Sequence, residues 1–262
     1  MARHNAMLRA FVATSAASTV ALVGAVVGYG YGLPQPPSSC GACGSRAERV
    51  DGATRIAAYD AESSSFDASV DAHEYWSGIS HARRSLIGTH ARGRVLEVAS
   101  GTGRNIGMYD ADKVREVTAV DASRGMLAEA EAKAKHAGTG GVTMVFVHGD
   151  VKTLGKVVKR RSVDTVVDTF GLCSYDDPVG ALRAMANACK LNGEILLLEH
   201  GRSQYTWLNN ILDAHAHAHA VKWGCYWNRD IVALVKEAGL EIIEHETRHL
   251  GTTSLIRARP VA

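Results

Sequence analysis

The stretch Val95-Leu-Glu-Val-Ala-Ser-Gly-Thr-Gly-Arg-Asn105 limits the folds open to this chain more than any other. A short apolar run carrying one acid, Glu97, passes directly into a loop with glycines at 101 and 103. An apolar run bounded by glycines reads as a buried parallel strand that feeds a tight turn and a helix. Glycine there lets backbone approach a ligand, because no Cβ intervenes and positive φ costs little. A second apolar strand, Glu116 to Ala122, also ends in an acid. That acid, Asp121, falls about twenty residues after Gly101, where a nucleotide-binding βαβ unit sets a carboxylate against ribose hydroxyls.

The loop departs from the dinucleotide fingerprint in three ways. Ile106 stands where the third glycine would fall, Glu97 lies inside the strand, and the polar pair Arg104-Asn105 follows the loop. Glu97, Gly101 and Gly103 fill the pattern E/D-x-x-x-G-x-G, which resembles the first motif of class I S-adenosylmethionine (SAM)-dependent methyltransferases. The resemblance implies an α/β, Rossmann-like seven-stranded sheet with helices on both faces. It also implies roles for residues. The loop from Ala99 through Gly101, Gly103, Arg104 and Asn105 passes under the methionine part of SAM, and Glu97 supports the loop and the amine. Asp121 binds the ribose hydroxyls, with Ala122 and Met126 beside it. Asp150 takes the adenine amino group, Val151 flanks the ring, and Thr169 sits where donor and acceptor meet. A phosphate-binding dinucleotide site, as in a nicotinamide-dependent oxidoreductase, is the competing reading of the loop.

Charge excludes one class of partner. Lys plus Arg number 29 against 27 Asp plus Glu, a net charge of +2, so electrostatics make no case for nucleic acid. The fourth-strand exit reads Asp168-Thr169-Phe170 rather than the Asn/Asp-Pro-Pro-Tyr/Phe of nucleic-acid nitrogen methylases.

The chain divides into a basic N-terminus and anchor (1–33), a Pro/Ser/Gly linker (34–48), a helical cap (49–93) and a SAM-binding core (94–262). Ala10 to Leu33 carries no charged side chain. As a helix at about 1.5 Å per residue it would cross the roughly 30 Å hydrocarbon core of a membrane. Arg3, His4 and Arg9 precede it and no acid appears before Glu48, which predicts a retained transmembrane helix. A cleaved secretory signal and a mitochondrial presequence running into the anchor are the other readings. Pro34, Pro36 and Pro37 end the run. Cys40-Gly-Ala-Cys43 has redox or half-metal spacing, but with no second ligand pair of matching spacing it reads as part of a linker.

Three features point to chemistry beyond the cofactor loop. Tyr59, Tyr75 and Trp76 lie in the cap, where such helices cover the pocket in the resembled family; packing aromatics is the first reading of each, contact with bound substrate the second. His200, at the fifth-strand exit, is the candidate general base, since imidazole titrates near neutrality. His215 and His219 share a helical face at i,i+4, but no third ligand follows, so no metal is expected there. Leu198 to Ser203, Trp223 to Asp230 and His249 to Thr253 are not generic to the class. With the loop and the Tyr-Trp-Ser-Gly-Ile stretch they resemble membrane-anchored methyltransferase-like proteins of fungal and protist mitochondria. They are similar too to animal thiol methyltransferases and bacterial phosphatidylethanolamine N-methyltransferases. The expectation is a methyltransferase acting on a small lipophilic acceptor (lipid, quinone-like or thiol) at a membrane, with SAM as cofactor. The mitochondrial inner membrane is the expected site, the endoplasmic reticulum or another internal membrane the alternative. A degenerate fold serving as an assembly factor for a membrane complex is the second functional reading.

Overall fold

The structure is a computed structural model that describes residues 50–261. The expected anchor, linker and Cys40/Cys43 pair lie outside the described residues. Among the described residues no helix is long and apolar enough to cross a membrane.

Seven strands form one sheet in the order β3-β2-β1-β4-β5-β7-β6. They are β1 (Gly93–Val98), β2 (Val114–Asp121), β3 (Thr143–His148), β4 (Val163–Thr169), β5 (Cys189–His200), β6 (Leu240–Arg248) and β7 (Thr253–Pro260). β1 pairs in parallel with both β2 and β4. The chain therefore builds outward to β3, then returns to the other side of β1. Such a reversal opens a crevice beyond the carboxyl ends of the two central strands, where ligands of open α/β sheets bind. β6 and β7 form a hairpin whose antiparallel strand lies inside the sheet rather than at its edge. β7 inserts between β5 and β6 and runs antiparallel to both. The outer strand β6 is guarded by charge, with Glu241 and Glu244 paired to Arg259 and Arg257, a device that discourages edge-to-edge pairing.

The central strands are apolar on both faces. Leu96, Val98, Val166, Ile195 and Leu197 face Leu182 and Met185 of α4 (Pro178–Ala188) and Val235 of α6 (Ile231–Glu237). The alternate residues Val95, Val167, Leu196 and Leu198 face Ile79, Ala82, Leu86 and Ile87 of α2 (Ile79–His90). A period of two along strands buried on both sides explains why the sequence runs nearly continuously apolar there. α3 (Arg124–Ala137) is capped by Ser123, whose hydroxyl accepts from Met126 N, and it buries Met126, Leu127 and Ala130.

α4 stops at Ala188, and β5 begins at once at Cys189. In the cap, α1 (Gly52–Trp76) and α2 are separate helices broken at Gly78, whose φ is +78°. The break resets the helical phase, so Ile79, Leu86 and Ile87 are buried while Tyr75 and Trp76 are 70% and 75% exposed. Neither of those two aromatics faces the crevice. Leu197 is fully buried at the centre of the sheet. Leu197→Ala is expected to cost about 2–5 kcal/mol, read as a lower urea midpoint with an unchanged transition slope.

Candidate active site

One crevice opens where the strand order reverses. Its floor is the β1 exit (Ala99 to Thr102), the β2 exit (Asp121 to Ser123), the β3 exit (Gly149 to Lys152) and the β4 exit (Thr169 to Gly171). Its roof is α1, through Arg55, Ile56, Tyr59 and Phe66. Two non-glycine residues at neighbouring strand exits, Ala99 (φ +48°) and Phe170 (φ +62°), hold left-handed backbone, a local cost typical of functional sites. Gly101 has φ +54°, and a Cβ built on it meets no atom within 4 Å. The glycine loop therefore leaves open space above its backbone.

Asp121 anchors that loop. Its Oδ2 accepts from Gly101 N at 2.7 Å and its Oδ1 from Ser123 N at 2.8 Å. Burial raises its pKa, and these amides act in the opposite direction. Asp150 caps the turn after β3, accepting from Lys152 N at 2.8 Å. Of the residues expected to bind cofactor, Ala99, Gly101, Arg104, Asp121, Ala122, Met126, Asp150, Val151 and Thr169 line the crevice.

Glu97, Gly103 and Asn105 lie behind the wall instead. Glu97 is 1% exposed. Its Oε1 accepts from Asn105 Nδ2 at 2.8 Å and its Oε2 from the Tyr109 hydroxyl at 2.6 Å. Burial pushes its pKa up, although both donors favour the charged form. Through Asn105, Glu97 thus supports the glycine loop. Gly103 (φ +74°) is required by packing, since a Cβ there would run into Ile106 and Ala130.

The same network reaches the roof through a residue that the sequence analysis missed. Arg83, 3% exposed, donates to Asn105 Oδ1 at 3.0 Å, Thr169 Oγ1 at 2.7 Å and Glu74 Oε1 at 2.8 Å. Its guanidinium also lies 5.2 Å from the Phe170 ring centroid. An arginine among Ile79, Ala82, Leu86 and Ile87 on an otherwise apolar helix face was the available signal. Arg104 is drawn to the roof as well, pairing with Asp67, Asp71 and Glu74 of α1. Asp67 further accepts from Thr102 Oγ1 at 2.6 Å and Lys133 Nζ at 2.5 Å. Asp60 accepts from Ser123 Oγ and Gly125 N at the start of α3.

His200 does not line the crevice. Its ring lies against Phe170, with centroids 4.3 Å apart, and its Nδ1 is 3.9 Å from Cys225 Sγ. A base must come within hydrogen-bond reach of the proton it takes, and this placement sets His200 behind the wall. His219 lies apart from His215 in its contacts, stacked on Trp227 with a ring nitrogen 2.8 Å from the Cys225 carbonyl. Tyr59 is the one cap aromatic of the expected three at the crevice, its hydroxyl donating to Trp223 O at 2.8 Å.

Comparison with known proteins agrees with this geometry. Residues 96–197 match the methyltransferase domain family. The mitochondrial methyltransferase OMS1 of Saccharomyces cerevisiae is 36% identical over 189 residues, 68% of this chain and 40% of that protein. The phosphatidylethanolamine N-methyltransferase of Cereibacter sphaeroides is 33% identical over 125 residues, 45% of this chain and 56% of that protein. An O-methyltransferase family protein from Burkholderia thailandensis shares the fold, with a TM-score of 0.61 at 16% identity over 79% of this chain and 62% of that one. Residues 96–197 therefore carry a methyltransferase domain, and the sheet has the fold of class I methyltransferases. The chain resembles the yeast mitochondrial protein through that domain and spans 40% and 56% of the two relatives' lengths.

The clasp between roof and floor has a pH signature. Burial opposes ionisation of Glu74 and Asp67, but Arg83 and Arg104 at Glu74, and Lys133, Thr102 and Arg104 at Asp67, hold both below the usual carboxylate range. A carboxyl with a depressed folded pKa stabilises above its unfolded pKa, about 4, and loses that contribution as pH falls through the folded value. Glu74→Gln is therefore expected to melt below wild type at pH 7, and the gap should close below about pH 4, measured by thermal unfolding across pH.

Proposed function

We propose that the protein binds SAM in the crevice under α1 and transfers its methyl group to a small lipophilic acceptor at a membrane. The observation that carries this reading is the β2 acid Asp121 joined to the glycine loop at a topological switch point. When bound, SAM supplies an electrophilic methyl group on a sulfonium.

The residues present fit that group. The space above Gly101 admits a ligand chain close to backbone, and the partly buried Asp121 offers a bidentate acceptor for vicinal hydroxyls. Asp150 and Val151 stand at the third strand exit to take an adenine edge and face. Thr169 and Phe170 form the wall where acceptor and methyl donor meet. Glu97, Gly103 and Asn105 hold the loop rather than touching ligand. Arg83 and Glu74 fix the roof, so water is excluded and the two reactants are oriented. Orientation alone supplies about 7–11 kcal/mol in well-aligned intramolecular reactions, which leaves little need for a strong base when the acceptor is an amine.

The lipophilic acceptor is supported by the likeness to the phosphatidylethanolamine enzyme and by the uncharged stretch Ala10–Leu33, a membrane anchor in this reading. A mitochondrial membrane is supported by the yeast relative and by the basic, acid-poor N-terminus. Titration calorimetry of SAM into the detergent-solubilised full chain tests the cofactor site. Micromolar binding is expected in wild type, with Asp121→Ala weaker by about tenfold or more for lost hydrogen bonds to ribose. Gly101→Arg should abolish binding, since a side chain would occupy the ligand space. A folded protein that binds no SAM would sink the enzymatic reading. With binding established, methyl transfer to phospholipid, quinol and thiol acceptors in mixed micelles identifies the acceptor class.

A further inference from the structure

Behind the Phe170 wall, three chain-distant residues converge. Cys173 lies in the loop after β4, His200 ends β5, and Cys225 follows α5 (Thr206–Trp223). Their Sγ, Nδ1 and Sγ atoms all lie within 4.8 Å of one another, and both cysteines are free thiols. We propose that Cys173, Cys225 and His200 form a zinc site.

The donor set suits a soft-ligand site, since thiolate and imidazole select zinc over the hard cations that prefer oxygen. In a tetrahedral site with Zn–S near 2.3 Å and Zn–N near 2.0–2.1 Å, neighbouring ligand atoms stand about 3.5–3.8 Å apart. Cys225 Sγ and His200 Nδ1 are already 3.9 Å apart, so ligation needs only a small contraction.

The surroundings preorganise the three. Tyr226 N donates to the Cys173 carbonyl at 2.9 Å, which zips the two cysteine loops together. The Phe170 ring holds the imidazole plane, and the ring of His219 supports the Cys225 carbonyl. Glu199, which precedes His200, is completely buried; its Oε1 accepts from Gly171 N at 3.3 Å and its Oε2 has no hydrogen-bond partner. Through that bond Glu199 ties the β5 exit to the loop that carries Cys173. A disulfide would use the two sulfurs and leave the imidazole beside them without a role.

Ligation displaces one proton from each thiol to solvent as two Zn–S bonds and one Zn–N bond form, with no change of oxidation state. Three protein ligands leave the fourth position to water or another small ligand. The ion would tie together the β4, β5 and α5 exits directly behind Phe170 and Ser174, both of which line the crevice.

The test uses the full chain, expressed with zinc and exchanged into metal-free buffer, followed by elemental analysis and cobalt(II) replacement. One zinc per chain is expected, with sulfur-to-cobalt charge-transfer bands and the strong visible absorption of a tetrahedral ion. Both should persist in the Cys40→Ala/Cys43→Ala variant. Cys225→Ser and His200→Asn should each weaken zinc binding by about 100-fold or more while keeping the wild-type circular dichroism. His200→Asn serves if the serine variant fails to fold. No stoichiometric zinc and no cobalt–thiolate bands in wild type would overturn the site. So would metal that depends on Cys40 and Cys43 alone, or a Cys173–Cys225 disulfide in the unreduced protein.

Discussion

The buried carboxylate of Glu97 is the constraint on which the crevice depends. An ionisable group fully removed from water must be satisfied or neutralised, and here Tyr109 and Asn105 occupy its two oxygens. Asn105 is thereby held in place to receive Arg83 and to reach Thr169 across the floor. Arg83 in turn fixes Glu74, and Glu74 shares Arg104 with Asp67 and Asp71. One chain of polar contacts runs from the centre of the sheet to the roof. Removing a partner from a buried, hydrogen-bonded network leaves a charge without compensation, which costs far more than the network contributes net. The shape of the crevice is therefore set by satisfaction of polar groups as much as by apolar packing.

The roof shows this most clearly. The residues that α1 buries fully are not an apolar stripe but Arg55 and Glu74. It is attached by ion pairs, by Asp60 at the start of α3 and by the Tyr59 hydroxyl. Such contacts weaken with acid or salt more readily than a packed hydrophobic face. A roof held in this way suits a site that must admit a small molecule and then exclude water.

Much of the architecture was legible in the residues. The strand–glycine–helix pattern, the two strand-end acids, the Ser123 cap and the terminal hairpin all follow from local chemistry that operates over a few residues. Errors came where the decisive interaction was not local. Tyr75 stands at helical spacing from Ile79, Leu86 and Ile87, but Gly78 breaks the phase. Leu191 suited the end of a helix, yet β5 pairs Cys189 with Val163 of β4 and takes the chain earlier. Glu97 matched a motif position, yet only the fold shows that Asn105 and Tyr109, twelve residues on, occupy its two oxygens.

The sequence by itself determined the class of fold, the position of the glycine loop and the acids at the strand ends, because periodicity and turn chemistry are written in neighbouring residues. The charge-free run from Ala10 to Leu33 is likewise read from the sequence alone and lies outside the described residues. Only the tertiary structure decided which motif residues face the crevice and which stand behind it. It brought Arg83 into the site, moved His200 out of it, and gathered Cys173, His200 and Cys225 from three separate exits. The reason is geometric: the order in which strands pair sets which distant loops meet, and no local pattern encodes that order.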